Sequence, residues 1–267
     1  MVYFGANIVI YVYKARIFLY LYVHNLSTKN LSLVLHHPED GFYQGTRFDR
    51  SGVFDSLIFE DQQLAGRWFE RYDPLAHDAV CGPVEEFTVL PGPEPGLLLK
   101  IGVGLLRDDG APYDRFKLYE IADAGKWSVE AAADAVRYRH HLEGEYDYLK
   151  EIVLTGESSF EVRHTLEAFR PIETEVYNHN FFTMGKELVG ESRRIELPFA
   201  PVGPGGMTYS VKISDGPLEV HISGDVPVVR TLLWANQRVA CPEPYNKVKA
   251  YPGKPFTWTL KYTINRF

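Results

Sequence analysis

The segment ETEVYNHNFF holds one histidine among residues that are typical of a β-strand. Successive side chains of a strand point to opposite faces, so His179 shares its face with Tyr177 and Phe181. Asn178 and Asn180 point to the other face. An imidazole titrates near neutral pH and can act as a general acid or base. A histidine between aromatic residues also fits a hydrogen-bonded core residue, so the segment alone leaves both interpretations open.

A carboxylate near the C-terminal end stands in a rigid setting. Glu243 lies between Pro242 and Pro244 in the segment ACPEPY, directly after the strand-like segment VVRTLLWA. Because proline fixes its own φ angle, the backbone around Glu243 has little freedom, which suits a carboxylate that must be held in one place. An exposed loop glutamate is the alternative interpretation.

The elements that would position these residues are β-strands. Runs of Val, Ile, Leu, Phe and Tyr alternate with polar residues along most of the chain, as in SFEVRHTLEAF, LEVHIS and FTWTLKYTI. Turn segments such as PGPEPG, DDGAP and YPGKP separate many of them. One helix candidate begins at Ser128, but from Ala133 the pattern changes to strand alternation, which predicts a hairpin with YDYLKEIVL. The sequence therefore predicts an all-β chain folded as a large antiparallel β-sandwich or barrel.

The first 35 residues differ from the rest of the chain. The segment IVIYVYKARIFLYLYV is strongly apolar, but Lys14 and Arg16 interrupt it, and a membrane span needs about 20 apolar residues in succession. We predict an extension of added edge strands over residues 1–35, with a poorly specified extension and a membrane anchor as the alternatives. Residues 36–267 are predicted to form a single domain, because no Ser/Gly linker or long charge run divides them. Since an exposed apolar edge can pair with a second copy, the pattern is compatible with a monomer or a homodimer.

Composition limits the partners. The chain of 267 residues has a net charge of −7, which argues against nucleic acid or anionic membrane as the main partner, because both need a concentrated positive face. A neutral or polar small molecule fits this charge better. Cys81 and Cys241 form no CxxC pair, which predicts buried free thiols and a reducing cytoplasm rather than a disulfide framework or a zinc knuckle.

Familiar cofactor and metal motifs are absent from the sequence. The GxG of KIGVGLL lacks the third glycine and the helix of a dinucleotide site, and no HExxH, GxSxG or Walker pattern occurs. The histidine pairs His36–His37 and His140–His141 would face opposite sides of a strand, so neither pair could bind one ion. The sequence therefore predicts neither a metal nor an organic cofactor.

Seven segments occur in the order that is found in a known superfamily. They are GFYQGTRFDRSG, CGPVEEF, KIGVGLL, YDYLKEIVL, VRHTLEAF, YNHNFF and CPEPYNKVKAYPGK, and they run from about His37 to the C-terminus. This set resembles the galactose mutarotase-like superfamily, and more closely its bacterial aldose 1-epimerase-related branch. The resemblance implies the large antiparallel β-sandwich, or supersandwich, of that superfamily.

The resemblance also implies roles for three residues. In mutarotases an Asn-His followed by aromatic residues supplies the general acid, and a glutamate near the C-terminus supplies the base; His179 and Glu243 match these positions. Arg47 matches an arginine that could hold sugar hydroxyls, although a bridge to Asp49 or another acid is the alternative. The implied reaction interconverts sugar anomers. A base removes the proton of the C1 hydroxyl while an acid protonates the ring oxygen, and the opened sugar recloses on its other face.

One position departs from the superfamily pattern. Many members carry a histidine directly before the glycine of an HG motif, where it helps to bind the substrate. Here Cys81 occupies that place, and His77 is the nearest histidine. Because a cysteine is a poor hydrogen-bonding substitute, a carbohydrate-binding protein without turnover is one alternative function.

A hexose-6-phosphate 1-epimerase is a second alternative. It needs a basic cluster for the phosphate, and the compact basic groups in the sequence are Arg193–Arg194 and Lys247 with Lys249. The resemblance leaves a further set of residues that could contact a monosaccharide. The two asparagines of the set could contact the sugar or orient a loop, and its aromatic residues could stack on the ring face, with core packing as the alternative for Trp234. This set is Asn178, Asn180, Tyr177 and Trp234.

Overall fold

A computed structural model describes residues 9–13, 16–20, 23–185, 188–196 and 208–267. Every regular element in these ranges is a β-strand, and every pair of strands is antiparallel. The strands are β1 (Val9–Tyr13), β2 (Arg16–Tyr20), β3 (Val23–Ser27), β4 (Leu31–His36), β5 (Phe54–Phe59), β6 (Gln62–Ala65), β7 (Val84–Phe87), β8 (Leu90–Pro91), β9 (Leu97–Lys100), β10 (Gly104–Arg107), β11 (Ile121–Asp123), β12 (Lys126–Ala131), β13 (Ala135–Leu142), β14 (Tyr146–Gly156), β15 (Ser159–Ala168), β16 (Ile172–His179), β17 (Arg193–Glu196), β18 (Thr208–Asp215), β19 (Leu218–Ala235), β20 (Ala240–Ala250) and β21 (Phe256–Arg266). The predicted all-β antiparallel class is confirmed. Within the described ranges, the chain has no helix that is long and apolar enough to cross a membrane.

An eleven-stranded sheet forms the main layer. Nine of its strands follow one another in the order β12, β13, β14, β15, β21, β19, β20, β16 and β7, and β18 with β17 joins beside β19. The long strand β19 holds this sheet together, because its first half pairs with β21 and its second half with β20. The helix-forming residues from Ser128 lie in β12, and the predicted hairpin is the pair β13 and β14.

Two four-stranded sheets, β3 to β6 and β8 to β11, accompany the main sheet. Alternation fixes which face of each strand is buried: in β14, every second residue from Tyr146 to Ile152 is buried. Leucine and phenylalanine side chains of β4 and β5, such as Leu33 and Phe54, share one core cluster with Tyr138 and other residues of the main sheet. This packing produces the predicted sandwich, with apolar faces turned inward and polar faces turned to solvent.

The N-terminal strands fall into two groups. β1 and β2 pair only with each other among the described strands. β3 forms the edge of its sheet and β4 lies inside it, so Leu26, Leu31 and Leu35 reach the core. The predicted boundary between residues 35 and 36 therefore falls within β4.

Buried ionic groups occupy the interior next to β7. The carboxylate of Glu85 accepts hydrogen bonds from Lys150 and from the amide of Asn178 at 2.9 Å, and it lies 3.1 Å from His164 Nε2. Lys150 also donates to the carbonyl of Ser51 at 2.9 Å. Burial alone would raise the pKa of Glu85, but attraction to Lys150 and His164 holds this pKa well below its usual value. The group is therefore an ion pair that stays charged inside the protein.

This ion pair predicts the effect of removing its cation. Lys150→Met leaves the Glu85 carboxylate buried without its cation, which we expect to lower the free energy of unfolding by about 3–5 kcal/mol. Urea denaturation of both proteins measures the difference. The matched control is Lys261→Met, on the exposed face of β21, which we expect to change stability by less than about 0.5 kcal/mol. Equal stability of the two variants would contradict the assignment of Glu85 and Lys150 as a buried pair.

Candidate active site

A cleft of about 380 Å³ opens beside strands β16, β19 and β20. Its lining combines titratable side chains with aromatic walls. The lining residues are Arg47, Trp68, His77, Asp78, Arg115, Phe116, Tyr177, His179, Phe181, Leu232, Leu233, Trp234, Glu243 and Tyr245. Six of the eight residues that the sequence singled out are therefore in one place.

A second cleft, of about 420 Å³, shares Trp68 with the first. Its lining is mainly amide and guanidinium groups, including Gln62, Gln63, Arg67 and Arg238. None of its described lining residues is a histidine, and it holds no acid-base pair in contact. The smaller cleft is therefore the candidate active site.

Strand alternation explains how the titratable groups converge. β16 turns Tyr177 and His179 to the cleft, and the neighbouring β20 turns Glu243 and Tyr245 to it. The ladder between these strands reaches Tyr177 and Tyr245, whose rings stack at 4.4 Å. Beyond that pair, β20 contains Pro244, which cannot donate a backbone hydrogen bond. The side chains of His179 and Glu243 meet at this point.

His179 contacts Glu243 through one ring nitrogen and Arg47 through the other. The Nδ1 atom lies 3.0 Å from Glu243 Oε1, and Nε2 lies 3.2 Å from the Arg47 guanidinium. A guanidinium only donates, so Nε2 accepts and Nδ1 carries the proton that is donated to Glu243. Burial lowers the pKa of His179 below its usual value, although contact with Glu243 opposes this shift. Phe181 stacks on the imidazole at 4.9 Å and fixes its plane.

Arg47 ties the cleft together. Its Nε donates to Glu86 at 2.6 Å, one terminal nitrogen lies 3.2 Å from His77 Nδ1, and the other donates to the Tyr177 hydroxyl at 3.2 Å as well as to His179. Arg47 therefore forms an ion pair with an acid, as the alternative interpretation of the sequence expected, and that acid is Glu86 rather than Asp49. Because His77 Nδ1 accepts from Arg47, its Nε2 carries a proton that can be donated to a ligand.

Sequence reasoning missed two residues of the site: Arg115, which lines the cleft, and Glu86, which is buried beneath it. Arg115 donates to the Tyr177 hydroxyl at 2.7 Å and lies 3.7 Å from Glu86. Burial alone would raise the pKa of Glu86, but Lys100 and Arg47 lower it. Alternation in β7 could have separated Glu86 from Glu85, whereas Arg115 lies between β10 and β11 and follows no periodic pattern.

Asn178 and Asn180 lie on the opposite face of β16 from the cleft. The Asn178 amide donates to Glu85, and the Asn180 amide donates to the carbonyl of Pro242 at 2.8 Å. The Tyr262 hydroxyl lies 3.0 and 2.8 Å from their amide oxygens. These contacts hold β16 and β20 in position, so both asparagines support the histidine between them from behind.

His77 and Trp234 face the cleft, whereas Cys81 does not. Cys81 is fully buried and forms an isolated bridge with Phe54 in the core. The position that holds a histidine in many superfamily members is therefore part of the packing here, and His77 reaches the cleft from four residues earlier. Trp234 is 40% exposed, with Trp68 5.6 Å away.

Three side chains at the base of the cleft could hold a metal ion. Donor atoms of His179, Cys241 and Glu243 lie within 4.8 Å of one another, and all three residues are buried. The adjacent histidines that the sequence raised are used differently. His36 pairs with Asp40, and His140 contacts the carbonyl of Ala124.

Comparisons with known proteins bear on the fold. No family model matches the chain, and no curated protein matches it. Several solved structures match the chain. An aldose epimerase homologue from C. elegans matches with 14% identity and a TM-score of 0.56, covering 92% of this chain and 99% of that one.

Two bacterial structures give the same result. A galactose mutarotase-like protein from Lactobacillus casei has 8% identity and a TM-score of 0.55, with 91% of this chain and 100% of that chain covered. One from Clostridium acetobutylicum has 10% identity and a TM-score of 0.56, with 91% and 95% covered. At such identities the likeness concerns the arrangement of strands, and it extends over nearly the whole of each neighbour. The chain therefore shares the fold of these mutarotase-like and epimerase-homologue structures, which is the fold that its sequence motifs predicted.

Proposed function

We propose that this protein is an aldose 1-epimerase-like isomerase, which interconverts the anomers of a sugar bound in the cleft. The observation that carries the proposal is the contact of 3.0 Å between His179 and Glu243 at the base of a polar and aromatic cleft. The named neighbours in the fold comparison are consistent with it. The reaction needs no bound cofactor, because it consists only of proton transfers and the breaking and remaking of one C–O bond.

The geometry of an anomeric centre explains why the two groups must lie close together. The hydroxyl oxygen that loses a proton and the ring oxygen that gains one are both bonded to C1. An acid and a base that serve these two atoms must therefore be neighbours. His179 and Glu243 meet this condition, since they project from the paired strands β16 and β20 and come within 3.0 Å of each other.

Each group has one task in ring opening. Glu243 takes the proton of the C1 hydroxyl, and His179, protonated on both ring nitrogens in this step, delivers one proton to the ring oxygen as the C1–O bond breaks and becomes a neutral imidazole. Rotation about C1–C2 turns the carbonyl over, and the reverse transfers close the ring on its other face. These reverse transfers return both side chains to their starting protonation states.

The other lining residues would hold the sugar. His77 Nε2 can donate to a sugar hydroxyl, because its other nitrogen accepts from Arg47. We expect His77 to bind the substrate in place of the histidine that many superfamily members carry at the Cys81 position. Trp234 and Phe116 offer partly exposed rings at the cleft, on which a pyranose face can stack.

One observation favours a sugar that carries a negative charge. Arg115 lines the cleft, and its side chain is 41% exposed, so its guanidinium is accessible to a ligand. The basic groups considered from the sequence are used elsewhere: Arg193 pairs with Asp215, and Lys249 lies 3.9 Å from Glu173. A hexose 6-phosphate or a uronate is therefore the second candidate substrate class, and a carbohydrate-binding protein without turnover stays an alternative.

The two cysteines bear on where the protein acts. Cys81 and Cys241 are both buried as free thiols. We propose a reducing cytoplasm as the location, because free thiols persist in that compartment.

Substitution of Glu243 tests the proposed chemistry. Glu243→Gln keeps the shape of the side chain but removes the base, so we expect anomer exchange to fall on the order of 10²- to 10⁴-fold. Exchange is measured by NMR on free aldoses, uronates and hexose 6-phosphates, and sugar binding by chemical-shift titration. Binding should survive the substitution.

Glu167→Gln is the matched control, because Glu167 is an exposed residue of β15. It should leave anomer exchange unchanged. Undiminished exchange in Glu243→Gln would contradict the catalytic assignment, and wild-type binding of a sugar without any acceleration would favour the non-catalytic alternative.

Substitution of Arg115 tests the substrate class. Arg115→Gln removes a charge-assisted hydrogen bond, worth about 1.5–3 kcal/mol. We expect it to reduce kcat/KM by about 10- to 100-fold for a charged sugar and much less for its neutral parent. Arg163→Gln, at a 45% exposed arginine of β15, is the control. An equal loss on charged and neutral sugars would mean that Arg115 acts only by holding Tyr177 and Glu86.

A further inference from the structure

The base of the cleft contains a set of donors that acid-base chemistry does not require. Cys241 lies two residues before Glu243 on β20, so both side chains point to the same face of that strand. Its Sγ atom is 3.4 Å from His179 Nδ1 and 3.8 Å from Glu243 Oε1. With the contact of 3.0 Å between His179 and Glu243, the three donor atoms form a closed triangle.

The dimensions of this triangle match one face of a tetrahedral zinc site. With zinc–nitrogen and zinc–oxygen bonds of about 2.1 Å and a zinc–sulfur bond of about 2.3 Å, the nitrogen and oxygen lie about 3.4 Å apart. The sulfur then lies about 3.6 Å from each of them. The observed separations of 3.0, 3.4 and 3.8 Å differ from these values by no more than a few tenths of an ångström.

The types of donor select the class of metal. Imidazole nitrogen, thiolate sulfur and carboxylate oxygen together suit Zn²⁺ and similar borderline ions, whereas Mg²⁺ and Ca²⁺ prefer oxygen alone. The set is also rigid, because His179 and Cys241 come from two paired strands and Phe181 stacks on the imidazole. His179 and Glu243 line the cleft, so an ion bound to them would keep a coordination position for water or another ligand.

We infer that His179 Nδ1, Cys241 Sγ and Glu243 form a binding site for a thiophilic divalent ion of the Zn²⁺ class. Binding converts the Cys241 thiol to a thiolate and releases one proton to solvent. The proton on His179 Nδ1 moves to Nε2, so the imidazole stays neutral. In the metal-free site one terminal nitrogen of Arg47 donates to both His179 Nε2 and the Tyr177 hydroxyl. When Nε2 carries a proton, this nitrogen can donate to the Tyr177 hydroxyl alone.

The ion would block the reaction rather than assist it. It occupies His179 Nδ1 and the carboxylate oxygen of Glu243, so neither atom can accept or give a proton. This consequence depends on the proposed function, whereas metal binding itself does not. Zinc-class ions should therefore act as inhibitors of anomer exchange that a chelator reverses.

Titration with Co²⁺ tests the site without any sugar. The full chain is treated with a chelator, freed of it and kept reduced with a non-thiol reductant. Added Co²⁺ should produce the sulfur-to-cobalt charge-transfer band in the near ultraviolet and the strong visible absorption of a tetrahedral site, both saturating at one equivalent. Zn²⁺ should displace the Co²⁺ and abolish these bands.

Cys241→Ser should remove the charge-transfer band and weaken Zn²⁺ binding by at least about 100-fold. Cys81→Ser is the matched control, because Cys81 is equally buried but lies outside the triangle, and it should retain the full spectrum. Glu243→Gln provides a second variant, with weaker binding but a retained sulfur band, if Cys241→Ser does not fold. A wild-type protein without the bands in excess Co²⁺, or bands that depend on Cys81, would overturn the inference.

The effect on turnover is measured separately. Anomer exchange in the wild type, assayed with chelator and then with a slight excess of Zn²⁺, should be lost on addition and recover with chelator. Turnover that is insensitive to Zn²⁺ while the cobalt bands are present would overturn the inhibitory role. The metal-binding site itself would still be supported by the bands. Absence of turnover even with chelator would count against the proposed function, and the cobalt result would still stand.

Discussion

The cleft depends on the neutralisation of Arg47. Its side chain is largely buried in the wall of the cleft, where an unpaired charge would be costly. Glu86 supplies the opposite charge at 2.6 Å, and the remaining donors of Arg47 are directed to His77, Tyr177 and His179. One cation therefore fixes the tautomers of two histidines.

Strand alternation then separates two ionic systems that are adjacent in sequence. On β7, Glu86 faces the cleft and Glu85 faces the interior, where it meets Lys150 and His164. On β16, His179 faces the cleft, while its neighbours Asn178 and Asn180 bind on the other face. The sheet is thus ionic on both sides near the cleft. The interior pair stabilises the strands, and His179 and Arg47 of the other set line the cleft, where a ligand can reach them.

The same cluster combines two opposed properties. The contact between His179 and Glu243 suits proton exchange, and Cys241 beside them adds the soft donor that zinc-class ions prefer. A threonine or a valine at that position would leave the acid-base pair but remove the metal donor. Cys241 therefore decides whether the base of the cleft responds to metal ions.

The sequence by itself determined the strand class, the face to which His179 points and the rigidity around Glu243. These follow from local periodicity and from the fixed φ of proline, which need no distant partner. Motif order also indicated the superfamily fold. The residues after Ser128 include helix formers, but pairing with β13 gave that segment the hydrogen bonds of a strand.

Only the tertiary structure decided which residues meet. Glu86, Arg115 and Cys241 join the site through strand pairing and a loop, across separations that no local pattern encodes. It also placed Cys81 in the core and His77 at the cleft. The physical reason is that periodicity specifies a face, whereas contact depends on which strands become neighbours and in which register.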